Sequence, residues 1–285
     1  MSLSRREFLA ASAATAAGLA VAGRARAADE FGGFTVGIQS YTFRQFQPAE
    51  KALKRIQDAG VKYAEFYNGH LKPTATPEQV KEFKKLCSDF GIKPVAFGVE
   101  QFTKDHDKNK KLFEFGKELG IQALSADPTK DSFDSLDKLV EEYGIAIAIH
   151  PHGPQGKGAR HRWWSAEVIL EAIKNHNKKI GTCLDTGHLI RMEQLDVKLD
   201  PVQQIKVMGD RNFGLHLKDH DNKRKTDVPF GDPTGVLDVL GVLKALKEVK
   251  FAGYISIEYE ANPQDPSADV RKCLAYFKDQ VKKLG

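Results

Sequence analysis

The sequence predicts an α/β protein that folds as a (β/α)8 TIM barrel. From Thr35 onward, short apolar runs alternate eight times with amphipathic helical patterns. The chain of 285 residues is also close to the typical barrel length of about 250 residues. A doubly wound sheet would need a glycine-rich phosphate loop after its first strand, and residues 39–42 contain no glycine.

Each predicted strand is a short apolar run that stops at polar residues or a turn. The predicted strands are residues 35–41, 63–67, 94–100, 122–127, 145–150, 180–185, 212–218 and 253–260.

The predicted helices have recognisable first and last residues. Thr76 followed by Pro77 is typical of a helix start, and this helix should end near Gly91. Glycines at the C′ position indicate where several helices stop. The other clear helix predictions are residues 132–144, 165–177 and 266–283, and the C′ glycines are Gly60, Gly91, Gly120 and Gly144.

Alternation within the strands predicts which residues face the barrel interior. In residues 145–152, isoleucines occupy one parity while Ala146, Ala148, His150 and His152 share the other. We therefore expect the large residues to face the helices and the small and polar ones to face the lumen. The carboxyl-terminal strand ends then form the active site.

The first 27 residues read as a targeting segment. Arg5 and Arg6 form a twin arginine, an Ala/Gly-rich run follows, and residues 25–27 match a signal-peptidase site. The apolar run is shorter than the roughly 20 residues of a membrane span. We expect a Tat signal over 1–27, a barrel domain over 28–285, and export through the Tat translocase to the periplasm or outside, without stable membrane insertion. An uncleaved anchor is the alternative.

The charge balance argues against a nucleic-acid partner. Residues 1–27 contain four arginines and one glutamate, so removing them lowers the formal net charge from +5 to +2. Three widely spaced cysteines indicate buried free thiols rather than a disulfide framework. The oligomeric state is left open, a homo-oligomer included.

Four polar residues end predicted strands five to eight, which are consecutive around half of the barrel rim. Two imidazoles and two carboxylates suit one divalent metal ion, such as Mn²⁺, Zn²⁺, Co²⁺ or Fe²⁺, with Mg²⁺ also allowed. Asp185 could instead only cap the next helix, and Glu258 could only pair with Lys218. The predicted ligands are His150, Asp185, His216 and Glu258.

Further polar residues surround the predicted metal. Lys218 could stabilise an enolate or only bridge carboxylates. His152 and His188 could contact substrate hydroxyls or move protons. Gln39 and Glu65 end strands one and two, where they either line the pocket or serve the barrel structurally. We therefore predict Glu258, His152 and Lys218 as catalytic, and His188, Gln39 and Glu65 as substrate-binding.

Two long loops should border the site. Residues 154–164 combine glycines, cations and two indoles, so we expect Arg160 to bind anionic groups and Trp163 to stack on a sugar ring, although either indole could pack beneath the helix. Residues 220–235 form a long, charged, proline-bearing loop that resembles a lid.

The ends of strands six, seven and eight resemble signatures of the xylose isomerase-like barrel superfamily. The matching stretches are Cys183 to His188, His216 to Asp219 and residues 254–260. This superfamily includes sugar phosphate isomerases/epimerases, ketose 3-epimerases, inosose dehydratases and an apurinic endonuclease branch. The resemblance implies that Asp185, His216 and Glu258 bind metal and that His188 contacts substrate.

The resemblance also implies a fourth ligand, commonly glutamate, where this chain has His150. The epimerases use two ligand glutamates as paired acid/base groups, whereas the His-Pro-His at residues 150–152 is closer to the inosose dehydratase-like pattern. We expect a metal-dependent sugar isomerase/epimerase that acts through an enolate. A keto-sugar dehydratase or lyase and a noncatalytic sugar-binding barrel are the alternatives.

Overall fold

The structure is a computed structural model that describes residues 30–284. The predicted export signal at residues 1–27 lies outside this range, so export stays a prediction. Within residues 30–284, no helix combines the length and the apolar character needed to cross a bilayer.

Eight parallel strands form a closed barrel, which confirms the predicted fold class. All eight predicted strands are present, each within a few residues of its expected bounds. The barrel strands are β1 (Thr35–Gln39), β2 (Tyr63–Phe66), β3 (Lys93–Phe102), β4 (Ala123–Pro128), β5 (Ala146–Ile149), β6 (Ile180–Asp185), β7 (Asn212–Leu217) and β10 (Tyr254–Ile257). Around the closed barrel their order is β1-β10-β7-β6-β5-β4-β3-β2.

Helices follow the barrel strands along the chain. Between β6 and β7 the chain forms two helices, of which the sequence analysis anticipated only the first, as the helix that Asp185 could cap, and gave bounds for neither. The α-helices within residues 30–284 are α1 (Ala49–Asp58), α2 (Pro77–Asp89), α3 (His106–Leu119), α4 (Phe133–Tyr143), α5 (Ala166–Ile173), α6 (Thr186–Arg191), α7 (Pro201–Met208), α8 (Val239–Glu248) and α9 (Ser267–Val281).

The helix ends show the local contacts and backbone angles that the sequence predicts. At the start of α2, Thr76 accepts a hydrogen bond from the Gln79 amide, and Gln79 Oε1 accepts one from the Thr76 amide at 2.9 Å. The C′ glycines adopt positive φ, as at Gly120 (79°) and Gly144 (72°), where a side chain would strain the backbone.

Two packed layers follow the predicted strand parity. Ile147 and Ile149 of β5 belong to the large apolar core shared with the helices. Ala146 and Ala148 belong to a smaller cluster with Tyr254 of β10. Because successive side chains point to opposite faces, this alternation directs the polar residues at the strand ends into the lumen. The three cysteines are buried and free, as predicted.

The predicted lid is in part a hairpin. β8 (Asp219–Asp221) pairs antiparallel with β9 (Thr226–Val228). Asp219 Oδ1 accepts hydrogen bonds from the backbone amides of residues 220, 236 and 237. This carboxylate therefore joins the two ends of the segment. The periodicity of two three-residue strands is too short to read from sequence.

Candidate metal centre

The barrel register brings the predicted ligands together at the carboxyl-terminal rim. Asp185, the last residue of β6, lies beside His216 of β7. His150 and Glu258 directly follow β5 and β10, the neighbours of this pair in the barrel. All four side chains are buried, and one ligand atom from each lies within 4.8 Å of the others. Consecutive strand ends therefore produce one four-residue cluster.

The distances within this cluster suit a divalent metal. His150 Nε2 lies 3.0 Å from His216 Nδ1 and 3.4 Å from Asp185 Oδ2. His216 Nδ1 lies 3.3 Å from Glu258 Oε2 and 3.7 Å from Asp185 Oδ2. Ligands about 2.1 Å from one ion are separated by roughly 3.0–3.4 Å when they surround it tetrahedrally or octahedrally. The donor set and its spacing fit a metal ion held by these four residues.

Asp185 serves two purposes with its two carboxylate oxygens. Oδ1 accepts the His188 backbone N–H at 2.7 Å and so caps α6. Oδ2 is buried and accepts no hydrogen bond, although Lys218 Nζ is 3.0 Å away. The helix cap therefore leaves the second oxygen available as a ligand, and the capping and metal-binding alternatives are compatible.

Lys218 lies among carboxylates rather than on the pocket wall. Its side chain is only 1% exposed. Nζ donates to Glu258 Oε2 at 2.8 Å and also to Glu260 Oε1, in addition to its contact with Asp185. The structure therefore fits the carboxylate-bridging role that the sequence left open for Lys218, and its catalytic role stays a prediction. A buried ammonium of this kind offsets the repulsion between the acids.

Glu65 lies beneath the cluster and contacts His216. The ring nitrogen Nε2 of His216 is 2.7 Å from Glu65 Oε2, which also accepts a hydrogen bond from Ser256 Oγ at 2.8 Å. With its Nε2–H donated to Glu65, His216 presents Nδ1 to the cluster. Glu65 is fully buried and absent from the pocket wall, so it is a positioning residue for His216 and the predicted substrate contact is corrected.

The charges in the cluster keep its acids ionised. Burial by itself raises the pKa of Asp185, but Lys218 and the nearby imidazoles lower it well below its usual range. Burial also raises the pKa of Glu258, but Lys218 and His216 outweigh this effect and lower the pKa to about 2. The surrounding carboxylates raise the pKa of Lys218 well above normal despite its burial. Ionised carboxylates are the form that binds metals.

The cluster opens into a cavity of about 350 Å³. His152 and His188 lie on its wall, and burial lowers the pKa of both imidazoles, that of His152 to about 3. His188 Nδ1 accepts the Gly153 N–H at 3.0 Å, which assigns the proton of the neutral ring to Nε2. The cavity is lined by Gln39, Tyr41, Tyr67, Asn68, Gly98, Val99, His150, His152, His188, His216, Glu258 and Glu260.

The opposite wall of this cavity contains residues that the sequence analysis did not select. Tyr41 and Tyr67 pack edge to face, with ring centroids 5.2 Å apart. Gln39, which was selected, is also on this wall, and its Oε1 accepts the Tyr41 N–H at 3.1 Å. Tyr41 and Tyr67 closely follow the ends of β1 and β2, so their position after a strand was the available signal. Glu260, two residues beyond Glu258, also lies on the cavity wall and was not selected as a site residue.

Trp163 and Arg160 do not reach the cavity. Trp163 is 0% exposed, its Nε1–H donates to the Pro128 carbonyl at 2.8 Å, and its ring packs against Phe133. No ring face is free for a sugar, so the predicted stacking role of Trp163 is wrong. Arg160 is exposed and lies over the Trp164 ring at 4.9 Å. The tyrosine pair supplies the aromatic surface that we expected from the indole.

Several known proteins share this architecture. A protein of Parabacteroides distasonis has 26% identity and a TM-score of 0.66 over 86% of this chain and 98% of its own. An L-ribulose 3-epimerase superposes with a TM-score of 0.68 at 16% identity over 88% and 95% of the two chains. The 3-keto-D-glucoside 4-epimerase of E. coli gives 0.66 at 16% identity over 86% and 99%.

Sequence comparison identifies the family. An uncharacterized protein of Methanocaldococcus jannaschii is 28% identical over 133 residues, which cover 45% of this chain and 42% of that protein. The alignment thus spans less than half of that relative. The sequence profile of the xylose isomerase-like TIM barrel matches residues 53–280, most of the chain. With the closed eight-stranded barrel, this match shows that the chain belongs to the xylose isomerase-like TIM barrel family.

Proposed function

We propose that this protein is a metal-dependent sugar isomerase or epimerase that removes a proton next to a sugar carbonyl. The observation that carries the proposal is the cluster of His150, Asp185, His216 and Glu258 at the base of an open cavity. The epimerases with the same fold support it. These four residues would hold a divalent cation, which would supply Lewis-acid polarisation of a substrate carbonyl.

The residues on the cavity wall divide the remaining work. Glu258 Oε2 is engaged by Lys218 and lies beside His216, which suits a ligand. Within residues 30–284, the Glu260 side chain pairs only with the Lys218 ammonium, through Oε1, and 34% of the side chain is exposed, so Oε2 is available to accept a proton from the substrate. His152 is the second candidate for this proton transfer.

Orientation of the sugar comes from fixed donors and from the aromatic wall. The Gly153 amide holds the His188 ring so that its Nε2–H can donate to a substrate oxygen. Tyr41 and Tyr67 offer an apolar surface to one face of the sugar ring. We also propose that the protein acts after Tat export, which favours an unphosphorylated keto-sugar or keto-glycoside over a sugar phosphate.

Elimination from a keto-sugar is the second candidate reaction. The cavity wall also contains imidazoles, with the His150 ring centroid 4.8 Å from that of His152 and 5.3 Å from that of His188. Carboxylates and imidazoles on one cavity wall provide unlike acid/base groups. Unlike groups suit removal of a proton on one side and protonation of a leaving group on the other.

Solvent isotope exchange tests the proposal. The mature protein, loaded with Mn²⁺ or Zn²⁺, is incubated in D₂O with a panel of ketoses and keto-glycosides and followed by NMR. We expect deuterium at a carbon next to the carbonyl, with an inverted or isomerised product for the first reaction and an unsaturated product for the second. Sugar binding without exchange for any substrate would overturn both reactions and leave a binding protein.

Glu260→Gln supplies the matched test of the proton acceptor. The amide keeps the shape of the side chain but cannot accept the substrate proton, so exchange should fall at least about 100-fold, as expected for loss of a general base. Metal content should remain, because Glu260 lies outside the metal cluster. Unchanged exchange in this variant would transfer the role to His152.

A further inference from the structure

A second polar cavity adjoins the first at the same end of the barrel. Its volume is about 350 Å³, within the ~300–1,000 Å³ range of small-molecule sites. Glu260 lies on the wall of both cavities. A second connection runs through Arg191, which lines the second cavity and whose NH1 lies 3.4 Å from His188 Nδ1 in the first. The cavity is lined by Arg191, Gln194, His220, Lys225, Thr226, Asp227, Glu260 and Ala261.

Two cations on this wall have no acidic partner. Within residues 30–284, neither Arg191 nor Lys225 forms an ion pair. Arg224, on the same hairpin as Lys225, does form one, with Asp221. Lys225 lies in the turn between β8 and β9, next to Thr226 on the wall. Both positive charges are therefore available to a ligand.

The acids on the same wall are already engaged. Asp227 Oδ1 is 2.9 Å from His220 Nδ1, and Asp227 Oδ2 accepts the Glu260 N–H at 2.9 Å. The Glu260 side chain accepts from Lys218. The hydrogen-bonding capacity left to the cavity consequently comes mainly from donors, which suits a ligand rich in acceptor oxygens.

His220 adds an unpartnered polar atom. The residue is 4% exposed, and no residue within 30–284 bonds its buried Nε2. Asp227 fixes the ring by its contact with Nδ1. Because the Nδ1–H of the neutral ring donates to Asp227, Nε2 is left as an acceptor, and a ligand hydroxyl that donates to it gains binding free energy.

We propose that the second cavity is a subsite for an acidic sugar unit of the substrate, whose carboxylate is bound by Arg191 and Lys225 and whose hydroxyl donates to His220 Nε2. This inference rests on the proposed function, because it places the reacting sugar in the first cavity and an acidic sugar or substituent in the second. Arg191 and Lys225 share the cavity with the negative charges of Asp227 and Glu260, so a monoanion is favoured over a dianionic phosphate.

Calorimetric titration of the metal-loaded mature protein tests the subsite with D-glucuronate, D-glucose and inorganic phosphate. We expect D-glucuronate to bind at least about tenfold more tightly than D-glucose, which corresponds to 1.4 kcal/mol. Lys225→Gln should weaken glucuronate binding at least threefold and leave glucose binding unchanged. The substitution keeps an unbranched side chain at φ 52° and removes only the charge.

Lys223→Gln is the matched control, since Lys223 occupies the same turn and is not on this wall. It should bind glucuronate like the unmodified protein. Three outcomes would each overturn the carboxylate subsite. They are equal affinity for glucuronate and glucose, an effect of Lys223→Gln as large as that of Lys225→Gln, and tighter binding of phosphate than of glucuronate.

The two proposals can fail separately. Binding that depends on the charge of the sugar, without isotope exchange, would contradict only the proposed reaction. Isotope exchange without such binding would contradict only the subsite.

Discussion

The two halves of the barrel rim share one backbone architecture but differ in chemistry. The half formed by β5, β6, β7 and β10 carries buried, ionised groups, with Lys218 among three carboxylates and four ligand atoms within 4.8 Å. The half formed by β1 to β4 contributes Tyr41, Tyr67, Asn68 and Gln39 to the cavity. Under the proposed function, the first half would hold a cation and the second a neutral ring.

We propose that this division lets one pocket both bind and activate a sugar. Charges fixed in a buried site interact strongly because water does not screen them. Aromatic and amide groups recognise a ring without placing further charge near the metal ligands. Glu65 connects the halves, because it belongs to β2 but contacts His216 of β7. Four substitutions should separate these contributions.

Asp185→Asn should have the largest effect, confined to the metal-binding half. The amide can still cap α6 through its oxygen, but it removes the negative charge that faces His150 and Lys218. We expect metal affinity to fall by more than about 100-fold, beyond the 10- to 100-fold typical of losing an outer contact. Metal competition with a chelator measures the loss, and circular dichroism verifies folding. A folded variant with unchanged metal affinity would refute the ligand assignment.

Glu65→Gln should have the next largest effect, although Glu65 lies on the other half. The substitution weakens the contact between residue 65 and His216 Nε2, which directs Nδ1 of the same ring to the cluster. Metal affinity should therefore fall about 10- to 100-fold. The same chelator competition measures it. Glu100→Gln is the control, since Glu100 lies on the neighbouring β3 and has no contact with His216. Equal metal affinity in the two variants would remove Glu65 from the metal centre.

Tyr41→Leu should weaken sugar binding without affecting the metal. Loss of the ring removes part of the aromatic wall and should raise the dissociation constant of a bound ketose about 2- to 12-fold, comparable with the ~0.5–1.5 kcal/mol of an aromatic contact. Titration calorimetry gives the affinity. Tyr41→Phe keeps the ring and should bind nearly normally; a loss as large as that of the leucine variant would assign the effect to the hydroxyl.

Glu100→Gln should have the smallest effect, on stability alone. Burial raises the pKa of Glu100 to about 6 from its ordinary 4.5, against the opposing hydrogen bond from Asn68. The protonated form therefore supports folding below pH 4.5, and this support is lost as the pH rises through 6. The glutamine variant should melt slightly higher than the unmodified protein at pH 8 and equally at pH 4. A difference independent of pH would contradict the role of ionisation.

The positions of individual site residues were predictable to different degrees. His150, Asp185, His216 and Glu258 were found because each ends an apolar run, and adjacent parallel strands end at one rim. The role of Glu65 was not found, since its partner His216 is 151 residues away. The role of Trp163 was also wrong because its contacts are distant in the sequence. The composition of its loop, rich in glycine and cations, does not indicate that Pro128 and Phe133 contact the buried ring.

The sequence by itself determined the eight strands, their lumen-facing parity and the four residues that cluster at the rim. These features follow from local periodicity, capping residues and the polar ends of apolar runs, which act over a few neighbouring residues. Only the tertiary structure decided that Lys218 bridges three carboxylates, that Tyr41 and Tyr67 form the aromatic wall, and that Arg191 and Lys225 face a second cavity. Such contacts join segments far apart in the chain, and barrel closure and packing determine which side chains meet.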